Sequence, residues 1–386
     1  MKTIAVIFGG QSTEHDVSII TAIAGVIKPL ELAGEYQVEP VYIAKDGSWY
    51  WDSKLKEIEL YISGEIDEYM RRAPKVQIQF DSGLTLVKSS QFAGRKQYKK
   101  IDVVFPAMHG THGEDGELMG LLEMAGVPYV GCGPTASAIA MDKVLTKQVT
   151  SAVGLPSTPW VWLSADELSN PSAAIEKCKD LKYPLFVKPA RLGSSIGITK
   201  VIDKSHLINA LEVAAHYDDK VIVEQGVRNL IEVTLPIIGN TKPIPALLEQ
   251  PLLKSEDFFD FDTKYMQGGK KGGKNGGAKG AQGYSNLPAD IPKDLYQKAE
   301  ELGLAVYRAV GCEGISRIDM LIDSKTKEVF FNEVNPMPGD LYEHNWRAAG
   351  VSSVELVRKL VDFGIQRHEN KKQRTTSFNT NYLKQF

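Results

Sequence analysis

The chain reads as an α/β protein of more than one unit: a parallel-sheet opening, then two stretches that mix strands and helices. Three observations carry that reading. The N-terminal run TIAVIF is continuously apolar and ends in Gly-Gly, the pattern of a buried parallel strand entering a turn. A helix-spaced segment and a second strand follow it, which makes a βαβ unit. Finally, 386 residues are long enough for two or three packed units rather than one small core.

Taken in order, DVSIITAIAGVIKPLE has helical spacing and stops near a proline, and YQVEPVYIA returns to strand. Residues 45–100 are more polar and read as an elaboration with short strands. IDVVFPAMHG restores the buried-strand pattern, GELMGLLEMAG is an amphipathic helix closed by glycine, and VPYVGCG adds a strand. Residues 1–140 thus form an N-terminal α/β unit. A second unit, 141–230, carries MDKVLTKQVTSAVG and HLINALEVAAHY as helices, with YPLFVKPA and KVIVEQGV as strands. A third, 231–386, holds the strand EVTLPII, a Gly/Lys-rich stretch, the helix LYQKAEELGLAVYRAVG and the strand pair ISRIDMLID and KEVFFNEVNP. Its last segment, RHENKKQRTTSFNTNYLKQF, reads as a loosely attached polar tail.

Bulk properties narrow the function classes. The apolar share is 43% and the charged share 24%, as in soluble globular proteins. A net charge of −3 gives no global attraction to nucleic acid or anionic membrane, so any basic site is local. No apolar run approaches the ~20 residues that span a bilayer, and MKTIAVIFGG reads as a strand rather than a signal peptide. Cys132, Cys178 and Cys312 lie far apart without CxxC spacing, which suggests buried free thiols in a cytoplasmic protein.

The strand pair carries the strongest chemical signal. With period-two alternation, Ile318, Met320 and Ile322 face the core and Phe330 and Val334 match them. Arg317, Asp319, Glu333 and Asn335 share the other face. A five-residue turn around SKTKE puts Asp319 opposite Glu333. Carboxylates across a ladder sit about 5 Å apart and repel, so something positive is expected between them. Two acids and an amide suit Mg²⁺; a solvated hairpin face is the alternative.

Lys188 lies at the end of an apolar strand, directly before the Gly/Ser loop RLGSSIG, and Lys143 begins the preceding helix. Both suit phosphate oxygens, although either alone is more often a surface charge. There is no GxxxxGK[ST]. GCGPTA matches GxGxxA, but no acid follows about twenty positions on to hold a ribose.

Together the segments FGGQSTEHDVS, HGTHGEDGELMGLLEMAGVPYVG, SAIAMDK, VKPARLGSSIGITKV, FFDFDTKY and SRIDMLID…FFNEVNPMPG resemble the D-alanine–D-alanine ligases of the ATP-grasp superfamily over nearly the whole chain. The resemblance implies a two-part ATP-grasp fold holding ATP between two sheets. It also implies ATP-dependent joining of two D-alanines through an acyl phosphate, for peptidoglycan precursors. By position, Glu14 matches the acid that receives the first D-alanine's ammonium, and His109 lines that subsite. Lys143, Lys188 and Lys264 match phosphate contacts, Ser195 matches an ATP-binding position, and Glu224, Gln225, Val227 and Glu232 match adenine and ribose contacts. Ser194 and Tyr265 match the pair linked with the glutamate across the site. Asp319, Glu333 and Asn335 match ligands of Mg²⁺, with two ions implied and Mn²⁺ an alternative. Arg317 and the Gly339 N–H match the stabilisers of the tetrahedral centre. A homodimer is implied, with no nucleic acid or membrane partner.

The Gly/Lys stretch QGGKKGGKNGGAKGAQG then reads as part of an enlarged mobile lid, about residues 255–286. Glycine gives it mobility and lysine attracts the triphosphate; an inert insertion is the alternative. One segment departs from the family. After NPMPG the chain reads DLYEHNW where small hydroxyl residues are usual, so Asp340, Glu343, His344 and Asn345 make the second amino-acid subsite more polar. That keeps D-lactate or D-serine open as acceptors.

Overall fold

The computed structural model describes residues 1–81, 83–89, 96–252, 285–377 and 380–385. The expected lid, apart from its last two residues, lies outside the described residues, as do Lys264 and Tyr265.

The Lys2–Gly9 strand pairs in parallel with Tyr36–Ile43 on one side and Val103–Pro106 on the other, and Trp49–Trp51 adds an antiparallel edge. The helix after the first strand runs His15–Ile20, Thr21–Ile27 and Lys28–Ala33 without a break, the middle stretch being π-helical. Its buried stripe of Ile19, Ala22, Ile23, Val26, Ile27 and Leu30 covers the sheet. π-Helical turns gather at functional sites, and Thr21 in this one reaches the site described below. Within 45–100 the strands Gln77–Phe80, Leu84–Ser89 and Lys96–Ile101 form a separate antiparallel sheet. VPYVGCG does not make a strand. Between Pro128 and the left-handed Gly131 it contributes a single bridge from Tyr129 to Val104.

A second sheet is wholly antiparallel: Thr199–Val201, Leu185–Pro189, Lys220–Gln225 and Trp160–Ser164. Leu185, Val187, Val221 and Val223 pack under the Leu207–Ala215 helix. Alternation therefore turns Lys188 and Glu224 to the opposite face. In the third sheet the order is Ile244–Pro245, Leu230–Gly239, Gly314–Asp323, Glu328–Asn335. The Lys293–Val310 helix covers one face through Leu295, Ala299, Leu302, Val306 and Tyr307, leaving Arg317, Asp319, Glu333 and Asn335 on the other.

Two expectations need correction here. Asp319 does pair with Glu333, but the ladder shifts by one residue between Asp319 and Met320, so Met320 pairs with Phe331. The bulge reverses the faces of the strand beyond it: Phe331 and Val329 are buried instead of Phe330. The polar tail also begins later than the composition suggests. The last helix runs Ser353–Lys372, and within it Arg367 is buried, donating to the carbonyls of Gly131 and Tyr129 with its guanidinium carbon 4.1 Å from the Tyr129 ring centre. Leu356, Val357, Leu360 and Val361 of this helix share a buried cluster with Ile4 and Phe8, so the C-terminal segment packs on the first sheet. Among the described residues no helix is long and apolar enough to cross a membrane.

Candidate active site

Two polar groups of side chains stand on the sheet faces that the helices leave uncovered, and a third lies in neighbouring loops. In the first, Glu224 is buried between two lysines, with Lys188 Nζ at 2.5 Å and Lys147 Nζ at 2.6 Å. Burial alone would raise the Glu224 carboxyl; the charges of Lys147 and Lys188 outweigh it and hold the group down to about 2. Lys143 follows the N-cap Asp142, whose side chain accepts from Val144 N and Leu145 N. Its Nζ donates to the Leu192 carbonyl at 2.8 Å and lies 3.6 Å from Glu333.

In the second group the charge expected between the hairpin carboxylates is supplied by protein cations. The Arg317 guanidinium grips Asp319 with Nε–Oδ1 2.7 Å and Nη2–Oδ2 2.6 Å, while Lys143 faces Glu333. Thr234, on the neighbouring strand at the register of Asp319, donates its hydroxyl to Asp319 at 2.6 Å. Asn335 donates its amide at 3.1 Å. Asp319, Glu333 and Asn335 thus share one face, and two carboxylates with an amide are hard oxygen donors that fit Mg²⁺.

The third group lies where the first unit meets the Gly/Ser loop. Ser194 Oγ donates to Glu14 Oε1; both side chains are buried, and Ser194 and Ser195 are left-handed. His109 is 3% exposed, with Nε2 2.8 Å from Thr21 Oγ1, and its burial lowers its proton affinity. Glu114, which GEDG disguises as a charged turn, is buried. It accepts Gly110 N at 2.7 Å and Met337 N at 3.2 Å, while burial and the nearby Glu14 push its carboxyl up to about 8. It ties the HGTHGED loop to the NPMPG segment.

Gln225 turns its side-chain carbonyl to Lys182 N at 3.0 Å, Val227 is half-buried beyond the strand end, and Glu232 is half-buried on the Leu230–Gly239 strand. Lys147, Thr234 and Glu114 belong to these groups although nothing read from the sequence gives them a role. Only Lys147 left a signal, lying one helical turn after Lys143.

Comparison with known proteins decides between readings of this arrangement. The family described as "D-ala D-ala ligase N-terminus" matches residues 3–132, and "D-ala D-ala ligase C-terminus" matches residues 149–362. The D-alanine–D-alanine ligase of Acetivibrio thermocellus is 34% identical, with 96% of this chain and 97% of that one covered. The chain belongs to the D-alanine–D-alanine ligase family. The corresponding enzyme of Chlorobium limicola is 36% identical over 95% of this chain and 98% of its own. Among solved structures, the ligase from Coxiella burnetii superposes with TM-score 0.79 at 27% identity, covering 96% of each chain. The VanG D-Ala:D-Ser ligase from Enterococcus faecalis gives 0.77 at 32%, covering 94% of this chain and 99% of its own. The fold is that of the ATP-grasp ligases, and the chain is an ATP-dependent D-alanine–D-alanine ligase.

In this ligase the DLYEHNW segment is less open than its composition suggests. Glu343 accepts from Ser353 Oγ at 2.7 Å, His344 Nε2 lies 2.8 Å from Glu249, and Asn345 exchanges two hydrogen bonds with the Leu247 backbone. Those three polar side chains are spent on the fold. Asp340, Leu341 and Tyr342 are all left-handed, at φ 50°, 51° and 56°, a conformation that costs roughly 1–3 kcal/mol per non-glycine residue. The turn brings the Tyr342 ring to 5.2 Å from the Arg317 guanidinium carbon.

Proposed function

We propose that the ligase forms D-alanyl-D-alanine through a D-alanyl phosphate, with the three groups of side chains taking successive parts. Glu14, held by Ser194, receives the ammonium of the first D-alanine beside His109. Lys143 and Lys188 receive the phosphates of ATP, whose base lies towards Glu224, Gln225 and Val227, with Glu232 on the ribose. Asp319, Glu333 and Asn335 would hold Mg²⁺, which when bound neutralises charge on the transferred phosphoryl group. Arg317 and the Gly339 N–H then stabilise the oxyanion that forms when the second D-alanine's amine attacks the acyl phosphate. Phosphate leaves with the bonding electrons of its C–O bond. Units at 1–140, 141–230 and 231–386, a homodimer and a cytoplasmic location belong to the same proposal.

What carries this reading is the Arg317–Asp319–Glu333–Asn335 face. A guanidinium, two carboxylates and an amide stand there on alternate rungs of one ladder, which supports a cation for the oxyanion beside a hard-oxygen donor set for the metal. The test is product analysis with ATP, Mg²⁺ and D-alanine, alone and with D-serine or D-lactate. Phosphate release matched by D-alanyl-D-alanine supports the reading. A predominant mixed product moves the acceptor, and no phosphate release with any acceptor overturns it.

A further inference from the structure

Lys147 has no part in the reaction as described, yet it is 1% exposed; burial lowers its proton affinity, and the Glu224 carboxylate works against that loss. It lies one turn after Lys143 on the Lys143–Ala152 helix, on the buried face with Val144, Thr146 and Thr150. Its Nζ is 2.6 Å from Glu224 and 5.7 Å from the centre of the Phe331 ring. Removing an ammonium from water costs several kcal/mol, and a buried pair seldom returns more than it costs. One buried carboxylate facing a buried and a half-buried lysine is more unusual, because its single charge is shared between the two. An anion beside Lys188 would supply a further counter-charge.

The second lysine on Glu224 is Lys188, 2.5 Å away, on the neighbouring strand of the same sheet. Glu224 therefore competes with phosphate for Lys188. Were Lys188 its only partner, the carboxylate would hold that ammonium with its whole charge. We propose that Lys147 is a positioning residue for nucleotide binding: by sharing Glu224, it frees Lys188 to turn towards a triphosphate. The inference rests on the reading of Lys188 as a phosphate contact.

The experiment measures binding of inorganic tripolyphosphate, which has no base to contact Glu224 directly, alongside steady-state kinetics. K147M is expected to weaken tripolyphosphate binding and raise KM for ATP about ten-fold each, the size of one modest ionic contact. KM for D-alanine should hold and kcat should fall much less. In K147M/E224Q, where Lys188 is no longer claimed, most of the tripolyphosphate affinity should return. Unchanged tripolyphosphate binding in K147M, or no recovery in the double variant, overturns the proposal. If K147M does not fold, K147Q is read in its place. Failure of both to fold would assign Lys147 to the core alone and also overturn it. Because tripolyphosphate binding is read without turnover, a protein that binds it normally but forms no dipeptide counts against the proposed reaction and not against Lys147.

Discussion

Replacing Gly110 by alanine probes the donor pocket through a single methyl group. A Cβ at Gly110 would lie 2.5 Å from Ser12 Oγ and 2.9 Å from Glu14 Oε2, with φ at +69°. Two separable costs follow. The left-handed backbone costs about 1–2 kcal/mol once a Cβ is present, which lowers stability whatever the site does. The methyl group also displaces the Glu14 carboxylate from Ser194. Under the proposed role, an ammonium then loses a charge-assisted hydrogen bond of about 1.5–3 kcal/mol, or roughly ten- to one-hundred-fold in D-alanine affinity. Gly193→Ala separates the two effects. Its Cβ would lie 3.0 Å from the same Glu14 oxygen, and its backbone is not left-handed. The assay is initial rate against D-alanine at saturating ATP, with thermal unfolding in parallel. Gly110→Ala should lower Tm and raise KM for D-alanine, whereas Gly193→Ala should raise KM with little change in Tm. Normal D-alanine KM values in both variants would refute the placing of the ammonium at Glu14.

Further outcomes follow from the same geometry. Glu224 is held near 2, against about 4.3 for an unfolded chain. Its contribution is therefore complete above that ordinary value and lost as pH falls towards 2, about 3 kcal/mol in all. In urea titrations between pH 5.5 and 3.5 the parent should lose stability more steeply than Glu224→Gln; parallel slopes would remove the ionic triad from the account. Tyr342→Leu removes a half-buried cation–π contact of about 1–2 kcal/mol and should lower kcat about ten-fold with little change in KM for ATP. Tyr342→Phe, which keeps the ring, should stay near the parent, and equal rates for Leu and Phe would show that Arg317 needs no ring. Gly364→Ala in the last helix would ordinarily gain about 1 kcal/mol. Here its Cβ falls 2.5 Å from the Tyr129 carbonyl oxygen, so a net loss is expected in urea unfolding, and a gain would contradict the rigid packing of that helix.

Much of the fold was legible because local pattern and long-range environment coincide there. TIAVIF is buried on both faces and reads as a parallel strand, and the Lys293–Val310 helix carries its apolar stripe in its spacing. The hairpin shows where such legibility ends. The pairing of Asp319 with Glu333 comes out correctly from a five-residue turn on a regular ladder. The actual hairpin has a shorter turn, Ser324–Lys327, plus a bulge. The two differences cancel at the acids but not at Phe330, which sits between the turn and the bulge. Nothing local announces a bulge, since its cause is the packing of Phe331 into the core. Glu114 and Arg367 were missed for a related reason: their partners lie 223 and more than 230 residues away, and a short polar stretch carries no trace of what it will be folded against.

The arrangement of charge explains why these contacts must be long-range. Glu224, Asp319 and Glu333 face Lys143, Lys147, Lys188 and Arg317, while Glu14 and Glu114 stand with Ser194 and His109. No single element supplies a balanced set. Glu14 comes from the turn before the His15–Ile20 helix, Lys143 and Lys147 from one later helix, Lys188 and Glu224 from the second sheet, and the hairpin brings two acids with one arginine. The second and third sheets turn their apolar alternate positions to their own helices and their charged ones to the other face, whereas Glu14 stands in the turn after the first strand. Under the proposed roles, Arg317 on Asp319 and Lys188 on Glu224 are the contacts with which metal and phosphate compete. On that reading, sharing Glu224 with Lys147 and placing the Tyr342 ring beside Arg317 set how readily the two cations change partners, without either residue touching the reacting atoms.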